Sequence, residues 1–512
     1  MESSTLVLLF ALLCTGAIAI SHWIGSKDPR EPPLVHPKIP VIGHIIGFIR
    51  YGQPYLNMLS AARPDVPIFT VNLLVAKFYV VASPTLISGV QRNHRSLSFE
   101  YFINLSASGM LGIKGPGMNL LREEQKGGGG LGMKVTHAMN PALLGAGLDD
   151  MNAKMITFLK ASVDELASAR GSFDLFSWTR HVITVAATES AWGKKNPYRS
   201  RELEDAFWTM ETNLDKLLFG IMPKLTAKQV WNARESLVEA FVKYYNEDGL
   251  EDGSEMAKAR WREQQKAGAN LQDTARLEAG LALGLLSNTV PATFWTLFEI
   301  CSRPELLAQI RSEVREKALH VDGNGVHTID LCDIRDNCEL LISTFQETLR
   351  IRSKAMPLRM VYNDVHLNDQ YLLKAGSIVQ MPSPVFHRNE SIWGHKSEEF
   401  EPRRFIKGGE QKESRRMTGF LAFGISPTLC PGRHFATGEV LSLAAMLLLR
   451  YDVLPEGGSW KCPKFDAKSA AASFYTPTED VPVKFKPRAE YEGTTWTYRV
   501  TPGKGRFGLI TG

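Results

Sequence analysis

A chain of 512 residues has room for two or three average domains or one large one, and 44% hydrophobic against 22% charged residues excludes global disorder. A net charge of +5, from 59 basic and 54 acidic residues, is too small to argue for nucleic acid as a partner. The six cysteines, Cys14, Cys301, Cys332, Cys338, Cys430 and Cys462, are too sparse for a disulfide scaffold and form no CxxC pair, and the six-residue spacing of Cys332 and Cys338 argues against a zinc site there.

From Leu6 to Ile20 every residue is apolar or small except Thr15, and Trp23 and Ile24 extend the run to bilayer-spanning length. A cleaved signal peptide competes, because Ala17 to Ile20 could mimic a cleavage site. Against it stand Glu2 ahead of the run and Lys27 and Arg30 behind it, the charge order that leaves the remainder in the cytosol. Residues 4–25 therefore predict a transmembrane anchor. Residues 26–45, with Pro29, Pro32, Pro33, Pro37 and Pro40, predict a stiff extended linker, and residues 46–512 one folded body.

Alternation over Ile68 to Val81 predicts a small hairpin, and Val361 to Val379 a second β region broken by Asn363, Asp364, Asn368 and Gly376. Gly127 to Gly130 follow no strand and lead into no Lys-Ser or Lys-Thr ending, so they predict a solvent-facing loop rather than a phosphate cradle. Helical periodicity covers 148–166, 202–218, 226–244, 273–299, 304–318, 329–352 and 434–449. The expected class is mainly α with a minor β portion, in a single large domain. The stretch Asp273 to Glu299 is apolar on nearly all faces from Ala279 to Leu297, as for a helix through the protein interior. Ser287, Asn288, Thr289 and Pro291 interrupt it, giving either a distorted helix beside a ligand or a helix end followed by a second helix from Pro291.

Near the C-terminus, Phe423-Gly-Ile-Ser-Pro-Thr-Leu-Cys430-Pro-Gly432-Arg-His-Phe-Ala436 runs from a turn-rich loop into a helix. Helix-terminal N–H groups beside Cys430 favour its thiolate, although an isolated cysteine would more often be a core residue. The segment resembles the heme-binding signature of cytochromes P450, with an aromatic seven residues before the cysteine and Gly two after it. Glu347-Thr-Leu-Arg350 is similar to the ExxR motif of that family, and Phe400-Glu-Pro-Arg-Arg404-Phe405 to the segment whose Arg joins that Glu and Arg. His387-Arg388 with Trp393-Gly394 resembles the stretch between them. A lone ExxR is usually a solvated pair on a helix; the ordered set covers nearly the whole chain.

This resemblance implies a P450 fold behind the anchor, heme b (iron protoporphyrin IX) as cofactor, Cys430 as axial ligand of the heme iron, and Phe423 and Gly432 shaping the heme loop. It implies a buried structural triad of Glu347, Arg350 and Arg404, whose disruption would strand unpaired charge. Ser426 and Thr428 stand where the family carries Gly and a basic residue. Arg359 then becomes the candidate for a heme propionate, unless it is an ordinary surface arginine; the early Trp-xxx-Arg pattern is missing, and nothing selects Lys134 or His137 to replace it. In the central helix the usual acid–Thr pair corresponds to Ser287-Asn288. Ser287-Asn-Thr-Val-Pro-Ala-Thr-Phe-Trp295 is similar to the sterol 7α-hydroxylase and prostacyclin synthase types. Ser287, Asn288 and Thr289 would shape the oxygen and proton site, and Leu285, Ala355 and Met356 the substrate pocket.

The activity so implied is oxidation of a lipophilic sterol, terpenoid or polyketide with O2 and electrons from NADPH-cytochrome P450 reductase. Its place would be the endoplasmic reticulum membrane, single-pass, with the catalytic domain cytosolic. The alternatives are a redox-independent isomerase or dehydratase of a peroxide in the same fold, and a non-catalytic membrane protein that has lost heme.

Overall fold

The computed structural model describes residues 28–39, 42–52, 54–73, 76–125, 129–406, 418–469, 471–503 and 505–509. The expected anchor, residues 4–25, and part of the glycine run, Gly127 and Gly128, lie outside them.

The proline-rich segment is not a free spacer throughout. Prolines lack the N–H but keep the carbonyl, and here the Pro33 carbonyl accepts from the Thr70 N–H (2.8 Å) and the Pro32 carbonyl from the Thr70 hydroxyl (2.8 Å). Val35 returns its own N–H to Thr70 (2.9 Å), so this stretch docks on the edge of the first strand. The chain then enters a helix at Gly43–Tyr51.

Five strands build the main sheet: β1 (Ile68–Leu73), β2 (Ala76–Val81), β3 (Leu97–Ser98), β4 (Leu358–Val361) and β5 (Ile378–Gln380), in the order β1-β2-β5-β4-β3. β1 and β2 are the expected hairpin, with Ile68 opposite Val81. β5 runs parallel to β2, so segments far apart in the sequence share one sheet.

Helices make up most of the rest. Those that position the site are α1 (Leu175–Trp192), α2 (Arg201–Thr212), α3 (Leu271–Leu286), α4 (Thr289–Cys301), α5 (Glu339–Arg352) and α6 (Arg433–Arg450). Asn270 caps α3 by accepting from the Asp273 N–H (2.8 Å), supplying a partner for an otherwise unpaired donor at the helix start. All thirteen residues of α4 are buried, between α1, α5 and α6. An apolar stretch of 31 residues, Leu271–Cys301, is therefore long enough to cross a membrane yet serves as the core of the domain.

Between α3 and α4 the backbone bends without leaving the right-handed region: Ser287 has φ −58°, ψ −27° and Asn288 φ −101°, ψ −36°. Helical bonds bridge the bend, from the Ser287 N–H to Leu283 (3.2 Å) and from the Ala292 N–H to Asn288 (3.1 Å). Pro291 has no N–H to continue the ladder, and the second segment starts two residues before it. The element is one kinked helix rather than a helix beginning at Pro291. Two expected continuous helices are split as well: 202–218 at Asn213, and 329–352 at Cys338, whose ψ of 71° is not helical.

Candidate active site

Glu347 and Arg350 lie one turn apart on α5, on the same face. The Arg350 guanidinium donates to Glu347 from Nε (2.7 Å) and Nη2 (2.8 Å), a bidentate pair with both side chains fully buried. Arg404 adds Nε to the same carboxylate at 3.1 Å, and the Glu401 N–H adds a further bond at 2.8 Å. The remaining guanidinium hydrogens go to backbone carbonyls: Arg350 to His387, Ser397 and Glu399, and Arg404 to Trp393, Lys396 and Glu399. One carboxylate and two cations thereby gather the loop that precedes Cys430.

His387 carries that order into the cysteine loop. Its Nδ1 bonds the Arg350 carbonyl (2.9 Å) and its Nε2 accepts from the Leu421 N–H (2.9 Å), which assigns the proton to Nδ1. Burial, with the Arg350 charge beside it, lowers its pKa to about 3, so the ring is neutral. From Leu421 the chain turns through Gly424, at φ +85°, a left-handed conformation that favours glycine. The Phe423 carbonyl then accepts the Cys430 N–H at 2.9 Å and closes the loop. Burial pushes the Cys430 thiol up, while the Gly432 and Arg433 N–H groups and the Arg433 charge pull it down.

Arg359, on β4, reaches this loop. Its Nη2 donates to the Thr428 hydroxyl (2.6 Å) and the Ile425 carbonyl (3.2 Å), and Nη1 to the Leu358 carbonyl (2.7 Å). No carboxylate pairs with it among these bonds, and burial alone lowers its pKa to about 10. A buried cation held only by neutral acceptors is a site for an anion. Phe423, Leu429, Cys430 and Gly432 are only half-buried, although α6 behind them is almost wholly buried. Gly284, inside α3, is exposed and would meet nothing within 4 Å of an added Cβ. A thiol, an unpaired guanidinium and open apolar surface fit a planar, anionic iron porphyrin. Lys134 does not join them: it is exposed and pairs with Glu124 (2.8 Å), and His137 is exposed too.

The three central-helix candidates face different partners. The Asn288 Oδ1 accepts the Ser473 N–H at 2.7 Å, which leaves both Nδ2 hydrogens to donate elsewhere. The Ser287 hydroxyl is buried, and the Glu211 carboxyl lies beside it. Thr289 turns back and donates to the Leu285 carbonyl (2.8 Å), so its proton is spent within the helix. The Ser473 peptide also accepts the Lys354 N–H (2.8 Å), tying the bend to the stretch that continues into Ala355 and Met356. Sequence reasoning missed Ser473 because its contact is made by backbone, 185 residues from Asn288.

Residues 32–485 match the family described as Cytochrome P450. A cytochrome P450 monooxygenase of Hypoxylon pulicicidum, nodJ, is 40% identical over 518 residues, covering 99% of each chain. A cytochrome P450 monooxygenase of Gibberella zeae is 28% identical over 508 residues, 95% of this chain and 96% of that one. A cholesterol 7-alpha-monooxygenase of Cricetulus griseus is 26% identical over 276 residues, 51% of this chain and 54% of that one.

Proposed function

This chain belongs to the cytochrome P450 family of heme-dependent monooxygenases, and from that premise we propose that it oxidises a lipophilic sterol, terpenoid or polyketide in a specialised pathway. Heme b, bound through a cysteine thiolate in this family, would supply the reductive activation of dioxygen and the oxidation of substrate. In this reading Cys430 is the ligand, Arg359 holds a propionate, and Glu347, Arg350 and Arg404 fix the loop that presents the thiolate. Electrons come from NADPH-cytochrome P450 reductase.

The observation that carries the reading is the orientation of Asn288. With Oδ1 occupied by the Ser473 N–H, the side chain offers hydrogen-bond donors to an oxygen atom where the family usually has a threonine hydroxyl. Lipophilic substrates agree with an exposed apolar segment after α2, where Phe219, Ile221, Met222 and Leu225 stand in solvent. This segment supports contact with a membrane. The N-terminal run agrees with single-pass anchoring in the endoplasmic reticulum and a cytosolic catalytic domain.

The test uses purified full-length protein with reductase and a panel of sterols, terpenoids and polyketides. Binding is read from heme spectral shifts and oxidation from product mass. Oxygenated product that requires NADPH is the expected result, and turnover of a peroxide substrate with NADPH withheld would overturn it. Cys430→Ala tests the ligand assignment: well-folded protein should lack the thiolate band of the reduced CO complex.

A further inference from the structure

The central helix of this chain has no acidic residue at its bend, but an acid faces the bend from another helix. Glu211 is the penultimate residue of α2 and is 8% exposed. Its carboxyl lies beside the Ser287 hydroxyl, and the charged groups acting on it, Lys354 and Arg180, do so from beyond hydrogen-bond contact. Lys354 is also buried: its ammonium donates to the Ser469 carbonyl (2.9 Å) and the Asp466 carbonyl (3.4 Å), leaving one hydrogen over. A carboxyl, a hydroxyl and an incompletely satisfied ammonium thus converge on the bend from three distant parts of the chain.

Burying polar groups is expensive, and a corner that gathers an acid, a hydroxyl and an ammonium is explained when something passes among them. Protons are the natural cargo, because monooxygenation consumes them: C–H, O2, two electrons from NADPH by way of the reductase and two protons give C–OH and H2O.

We propose that Glu211 supplies protons to the oxygen-binding side of the heme site through the Ser287 hydroxyl, taking the place of the acid that the central helix lacks. The Glu211 carboxyl gives its proton to Ser287 Oγ as Ser287 releases its own toward an oxygen or water held by the Asn288 amide. The carboxylate left behind is steadied by the Lys354 ammonium, and it regains a proton from water. Burial raises the Glu211 pKa to about 7, so acid and conjugate base are both populated at neutral pH. The inference rests on the monooxygenase reading above.

Its test is infrared difference spectroscopy of the full-length, heme-loaded protein on photolysis of bound carbon monoxide, from pH 5.5 to 8.5. The wild type should show a protonated-carboxyl C=O band that responds to CO release and titrates near pH 7. Glu211→Gln should lose that band, Glu211→Asp should keep it at a shifted position, and Ser287→Ala should keep the band but abolish its response to CO. With reductase, NADPH and the panel compound giving the largest spectral shift, Glu211→Gln should raise hydrogen peroxide released per NADPH severalfold, and Glu211→Asp should restore it. A CO-responsive carboxyl band that survives in Glu211→Gln, or an unchanged peroxide yield, overturns the proposal. A wild type that consumes no NADPH with oxygen would defeat the monooxygenase reading instead, and the infrared response would still decide whether Glu211 addresses the heme site.

Discussion

Arg359→Met separates the worth of a buried cation in the heme-free protein from its worth with heme bound. Methionine keeps much of the stem and deletes the charge. At pH 7 the guanidinium is charged in both states of the chain, and burial depresses its pKa from 12.5 to about 10. At ~1.4 kcal/mol per unit this is a folding penalty of about 3 kcal/mol in the absence of an anion. Deletion also leaves the Leu358 carbonyl and the Thr428 hydroxyl short of a donor, at roughly 1 kcal/mol each, while the Ile425 carbonyl keeps the Thr428 hydroxyl. These opposing terms nearly cancel, so heme-free Arg359→Met should unfold in urea within about 1 kcal/mol of the wild type. With heme, the variant forfeits a charge-assisted pair to a propionate, about 2–4 kcal/mol, or roughly 30- to 1,000-fold in heme retention. Heme transfer to excess apomyoglobin, followed by absorbance, measures the second quantity. Heme loss no faster than wild type would refute the propionate assignment, and destabilisation of the heme-free variant by 3 kcal/mol or more would refute the reasoning about the unpaired cation.

Glu347→Ala strands the Arg350 and Arg404 guanidinium groups in the interior, so it should cost about 3–5 kcal/mol in urea unfolding and empty the protein of heme while Cys430 remains in place. His387 should make the fold acid-labile. The unfolded chain protonates it near its ordinary value, 6.5, and the folded one only near 3, so its contribution is intact above pH 6.5 and is lost as pH falls. By pH 5 this amounts to ~2 kcal/mol, readable as a shift in urea midpoint between pH 7 and pH 5 that His387→Gln should reduce. His434, held near 4 by burial and the Arg433 and Arg506 charges, adds in the same direction. Asn288→Asp can still accept the Ser473 N–H, so stability should stay within about 1 kcal/mol. The ionised side chain offers no donor, and peroxide released per NADPH should rise; an unchanged ratio would show that the Asn288 amide plays no part in oxygen use.

The hairpin at 68–81 was legible from its run of β-branched and aromatic residues, and the helix after the heme loop from Pro431 and Gly432 ahead of a long apolar run. α1 was not. It carries Val182, Ile183, Thr184 and Val185 in succession, a β-branched run that argues against helix, and burial of twelve of its eighteen residues overrides that propensity. The positions of Glu347, Arg350, Arg404, Phe423, Cys430 and Gly432 could be singled out by motif, and the structure supplies the distances that make the first three one cluster. Glu211 and Lys354 carry no motif: an acid at the end of an amphipathic helix and a lysine before a strand look solvated until the packing encloses them. His387 was visible as part of a resemblance, but its bonds to Arg350 and Leu421 belong to tertiary structure.

Ser473 contributes only main chain to its latch on the helix bend. Its N–H goes to Asn288 and its carbonyl to the Lys354 N–H, so neither bond depends on what the side chain is. Substitution at this position can therefore reshape the nearby surface without releasing the helix bend. Descendants of this sequence could explore new substrates there while the geometry around Asn288 is inherited unchanged; the same liberty is denied to Asn288, whose side chain is its half of the bond.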